Sequence, residues 1–175
     1  MKKPLPLWMS IVVATTLLTL ALAPSAVAKD VTYGFNVLGP QTTTNGTETI
    51  AVTGAGSFDT TDGTVVASGV FLITNNSNGA VVSAGTWKAT GFTSFCSRGG
   101  ANSGEQGGVL IITVTLFPKG RAPIAGVTMT VNCLIFAPPN NANTCSPVGE
   151  GVTVTGTVGD FTTIVRGATL FHLNE

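Results

Sequence analysis

The chain has 175 residues, eight Lys and Arg against eight Asp and Glu, and one His; only 9% of its side chains are charged. So small and balanced a charge excludes a nucleic-acid binder that works through a basic face. The length fits one folded domain with a core of its own, and the 22 glycines without Ala/Glu/Lys/Leu runs exclude a helical bundle.

At the N-terminus Lys2 and Lys3 precede an apolar run centred on Ile11, Val12, Val13, Leu17, Leu18 and Leu20. Pro24 follows, then Ala26-Val27-Ala28 with small residues where a signal peptidase reads. Charge, apolar run and A-x-A site in that order are the secretory pattern. A spanning helix wants about 20 apolar residues, and this run is short and interrupted by Ser10, Thr15, Thr16 and Thr19. The expectation is a signal peptide over residues 1–28, cleavage between Ala28 and Lys29, and a secreted or periplasmic all-β domain over 29–175. No Cys follows the cleavage site, which argues against a lipoprotein anchor. The remaining chain carries six basic and eight acidic residues, scattered along it, and no membrane span.

From there the chain reads as strands. The first covers residues 31–37. Residues 48–58 alternate, with Ile50, Val52, Gly54, Gly56 and Phe58 on one side and Thr49, Ala51, Thr53, Ala55 and Ser57 on the other. A period of two is a strand with one buried face. Asp59-Thr60-Thr61-Asp62-Gly63 is a turn, and residues 64–74 return. Asn75-Asn76-Ser77-Asn78-Gly79 is a second turn with a hairpin signal at its end. Residues 80–95 make one bent strand or two short ones, with Gly85 and Gly91 as sites of a bend.

Residues 97–108, polar and Gly-rich, read as a long loop. Residues 109–117 are apolar on both faces, which suits a central or doubly covered strand. Val127, Met129, Val131, Cys133 and Ile135 form the inner face of the next strand. Pro138 opens a second long loop that ends near Gly149. Val152 and Val154 mark another strand, and residues 161–173 the last. The count is about eight strands. Glycines within them suggest strong curvature, and short turns favour pairing of sequence neighbours. The fold expected is one antiparallel all-β domain, a meander β-barrel in preference to a two-sheet sandwich. Gly56-Ser57-Phe58-Asp59 with the return through Gly69-Val70-Phe71 resembles the turn pattern of dirigent and allene-oxide-cyclase barrels. The resemblance covers residues 48–73; it implies a barrel and transfers no catalytic residue.

Three cysteines remain: Cys96, Cys133 and Cys145. In an oxidising compartment two of them pair. Cys133 with Cys145 is the candidate bridge, as neighbours flanking one loop, and Cys96 with either is also geometrically open. A Cys₃His zinc site with His172 lacks the close Cys pairs that structural zinc uses. His172, the only histidine, invites a general-base role with Cys96 as nucleophile, but it sits near the C-terminus on the outward side of its strand. Arg98, in Cys96-Ser97-Arg98-Gly99-Gly100, is placed to lower a thiol pKa or hold an anion, and reads equally as a solvated loop cation. Asp59 and Asp62 offer two carboxylates to calcium, yet turn formation explains them fully. Asn45-Gly46-Thr47 and Asn75-Asn76-Ser77 are glycosylation sequons, relevant only to a eukaryotic export route.

No catalytic, cofactor or metal motif emerges, and no cofactor is expected. The preferred reading is a non-enzymatic binding module for a small apolar ligand or an envelope or extracellular partner, not nucleic acid. A structural protein of the cell envelope and a barrel-type isomerase or cyclase are the alternatives. Few titratable residues argue against the enzyme. Inward glycines favour a hollow interior, and the many Val, Leu and Phe favour a filled one.

Overall fold

The computed structural model describes residues 31–100, 104–135, 145 and 149–174. The expected signal segment and its Ala28–Lys29 cleavage site lie outside these residues, as does most of the loop after Pro138. The described residues form nine strands and no helix: β1 Thr32–Thr44, β2 Glu48–Asp59, β3 Thr64–Asn75, β4 Val81–Gly100, β5 Glu105–Pro118, β6 Ile124–Cys133, β7 Gly151–Thr155, β8 Thr163–Arg166 and β9 Thr169–Asn174.

From β1 to β7 each strand pairs antiparallel with its successor. The short turns enforce this. Gly63 and Gly79 close two of them at φ of 64° and 70°, a backbone region that favours glycine. Asp59 Oδ1 accepts from the Thr61 and Asp62 N–H groups, and Asn75 Oδ1 accepts from the Ser77 N–H and hydroxyl. β9 then inserts between β1 and β5, so that β1, β2, β3, β4, β5 and β9 form a closed ring of six strands.

Two expectations are corrected. The last strand is two: β8 pairs with residues 42–44 of β1 and β9 with residues 32–37. The break lies opposite a register shift between Val37 and Gln41, where Gly39-Pro40 withholds a ladder donor. Nor do residues 97–100 and 105–108 belong to a long loop. β4 runs to Gly100 and β5 starts at Glu105, through three register shifts in β4. Gly107 and Gly108 are glycines of close approach: a Cβ there would meet the Ile135 carbonyl and the Phe95 ring.

The core fills the ring. Phe35, Ile50, Val52, Phe58, Trp87, Leu110, Ile112, Leu116, Met129 and Phe171 are all buried in it. Gly54, Gly69 and Trp87 stand in one inward row across β2, β3 and β4. The indole lies where two side chains are missing and donates from Nε1 to the Thr53 carbonyl at 2.9 Å. The inward glycines thus make room for Trp87. Rings of Phe58, Phe95 and Phe171 pack at centroid distances of 4.8 to 6.0 Å, with Tyr33 and Phe92 against them.

Gly69→Ala should lower stability by about 2 kcal/mol or more, because its Cβ overlaps the Thr53 carbonyl and the indole. Val66→Ser, exposed on the same strand, should stay within about 0.5 kcal/mol. Urea melts followed by Trp87 emission read both.

Candidate functional site

The candidate residues gather around the outer side of the β4–β5–β6 sheet. Cys96, Val109 and Asn132 pair in register and share that side. Cys133 is the next residue of β6 and points into the core. Cys145 lies over the outer side and forms the disulfide, with Cys96. The candidate bridge Cys133–Cys145 is therefore corrected: the sheet separates the two side chains, and alternation puts Cys96 on the accessible face. The bridge spans 49 residues, worth about 4 kcal/mol in the chain-entropy model.

Arg98 lies under the same cover. Its guanidinium donates to Asn132 Oδ1, to the Cys133 carbonyl at 3.2 Å and to the Cys145 carbonyl at 3.0 Å. The Asn132 amide donates onward to the Gly149 carbonyl. Glu150 accepts from the Leu134 N–H through Oε2, and from the Thr169 N–H and hydroxyl through Oε1. This polar network ties Cys145, Gly149 and Glu150 to β4, β6 and β9. It engages Arg98 with protein acceptors, and the Cys96 sulfur is bonded to another sulfur. The structure does not assemble a thiolate, a base and an anion cradle from Cys96, His172 and Arg98.

His172 faces outward on β9, with its imidazole lying across Gly34 of β1. Its backbone partner on the other edge is Glu105. Cys133 is a free buried thiol that donates to the Thr169 carbonyl at 3.2 Å. Burial, then the nearby Glu150 charge, push its pKa up, against opposing hydrogen bonds. In the turn, the Asp62 and Thr61 N–H groups hold the Asp59 carboxyl below its ordinary value, against some desolvation. Among the described residues no three His, Cys, Asp or Glu side chains are placed to hold a metal ion.

A second region went unnoticed in the sequence. Alternation sends Val66, Val70 and Leu72 of β3 outward, and they are 74%, 52% and 38% exposed. The register extends them into rows: Thr49–Thr74–Val81, Ala51–Leu72–Ala84, Thr53–Val70–Thr86–Phe117, Ala55–Ser68–Lys88–Thr115 and Ser57–Val66. Val81 is 64% and Phe117 41% exposed. The signal was there to read, since β3 is apolar at both parities, but such a strand also reads as one covered on both faces. A shallow depression of about 400 Å³ lies between the sequon turns, next to the Thr49–Thr74–Val81 row, lined by Gly46, Thr47, Asn75, Asn76 and Ser77.

No family model matches this chain, and no curated protein or solved structure does either. Function is therefore argued from the chain's own residues.

Peptide mapping should find Cys96 linked to Cys145, and native protein should resist alkylation at Cys133 until unfolded. Because the folded state keeps the Cys133 proton where the unfolded state has lost it, stability should fall as pH rises through the ordinary thiol range. Cys133→Ala should flatten that slope in pH-resolved denaturant melts. Arg98→Leu should cost about 2 to 4 kcal/mol, since it removes the charge-assisted hydrogen bonds to Asn132, Cys133 and Cys145; thermal melts read this.

Proposed function

We propose that the chain is an exported, non-enzymatic binding module that engages its partner through the outer face of β3, β4 and β5. The carrying observation is the exposed apolar set Val66, Val70, Leu72, Val81 and Phe117 on a sheet whose other face already covers the core. Contiguous exposed apolar surface with a polar rim is characteristic of interaction sites.

Of the two binding routes open to the sequence, the interior one loses support. Trp87 occupies the space beside Gly54 and Gly69, and aromatic rings occupy the centre. The enzyme alternative loses support too. Acid–base catalysis needs a free group of matched pKa, and the oxygens of Glu150 and of Asp59 accept structural hydrogen bonds. A purely structural envelope role would leave the β3–β5 face without work.

Two measurements test the reading. Native mass spectrometry of the protein exported by its own host should give a chain beginning at Lys29 with no small molecule retained. A photo-crosslinker placed at Val70 or Phe117 in that host should form adducts, and one at Thr128 or Thr153 should form none. A copurifying small molecule lost on denaturation, or equal crosslinking at all four positions, would overturn the proposal.

A further inference from the structure

We infer that the occupant of the β3–β5 face is a lipid surface bearing anionic headgroups; this rests on the surface-binding reading above.

The first ground is charge. Lys88 stands within the rows, beside the row of Val70 and Phe117. Lys119 joins the turn that follows β5, and its N–H donates to the carbonyl of Ala84, the row partner of Leu72. Arg121 follows, with its N–H directed at the Pro118 carbonyl. All three cations are exposed, and no Asp or Glu occurs in any row. The nearest acids on this face, Asp59 and Asp62, lie beyond Val66 at the far end of β3. A chain whose expected mature form is slightly acidic therefore carries Lys88 among its exposed apolar rows and Lys119 and Arg121 in the turn at their edge, with Asp59 one row beyond Val66.

The second ground is what the face lacks. A second copy docked on it would bring Lys88, Lys119 and Arg121 against their own kind, which opposes self-association. Specific protein partners are anchored by aromatic or Arg side chains in well-packed pockets. Here the apolar residues are Val, Leu and one Phe on a paired sheet, the one Arg lies in the turn at its edge, and the backbone between them is committed to β2–β3–β4–β5 hydrogen bonds. Such a face has little with which to read a shaped partner. Short apolar side chains flanked by Lys and Arg suit a headgroup boundary, where area burial and attraction to anionic lipid act together.

The test is co-sedimentation of the purified exported protein with phosphatidylcholine vesicles, with and without phosphatidylglycerol. Binding should require the anionic lipid and decline with salt. Lys88→Gln, Lys119→Gln and Arg121→Gln should each lower the partition coefficient about fivefold, and together on the order of a hundredfold. Val70→Ser with Phe117→Ser should weaken it as well. Val165→Ser, exposed on β8, should leave it unchanged, and all variants should keep the parent's melting temperature. Equal binding to neutral vesicles, no binding, or binding indifferent to these substitutions would overturn the inference. Failure here with protein adducts at position 70 would leave the surface-binding reading standing with a protein as partner. Failure here with no adducts there would remove both.

Discussion

The structure depends on how β9 closes the ring. β9 pairs with β1 along six residues but with β5 only at Glu105↔His172 and Gln106↔Phe171. Two residue pairs are a narrow weld, so the closure needs other support. Phe171 provides it on the inside, packed between Phe35, Phe58 and Phe95. Thr169 provides it at the strand's start, donating to the Asn132 carbonyl and to Glu150. Gly34 provides it outside, by leaving room for the His172 ring. The single histidine is accounted for as a packing residue on the closing strand.

The outer cover follows from the same requirement. Val109 and Asn132 are buried on the side of the sheet away from the main core. Cys145 is fastened on that side, covalently to Cys96 and through its carbonyl to Arg98, and Gly149 and Glu150 are held nearby by Asn132, Leu134 and Thr169. The residues that looked most reactive in the sequence are those that fasten it. A cysteine, an arginine and glycines in one stretch suggest a nucleophile and an anion site when read locally. They acquire their actual use from a residue 49 positions away.

Legibility in the sequence divides along the same line. Strands with one buried face were readable, because Ile50, Val52 and Phe58 alternate with Thr49, Ala51 and Thr53 and the period survives folding. The turns at Gly63 and Gly79 were readable because their chemistry is local. The extension of β4 and β5 into residues 97–100 and 105–108 was not: glycine that admits a neighbouring carbonyl or ring looks the same as glycine in a loop. The disulfide was half readable. Alternation already placed Cys133 inside, but nothing local says on which side of the sheet Cys145 lands.

The exposed face is the least legible part and the most informative. An apolar residue on an outward parity is normally hidden by a second layer, and β5 obeys this at Val109, under its cover. Toward the other end of β5, Phe117 and its β3 neighbours Val70 and Leu72 are exposed. Lys88 stands among them on the same face, and Lys119 and Arg121 follow in the turn after β5. The same charges leave the apolar residues available to a surface of opposite sign. On the reading proposed above, apolar exposure and cationic flanks together make this a docking face and not a defect in the core.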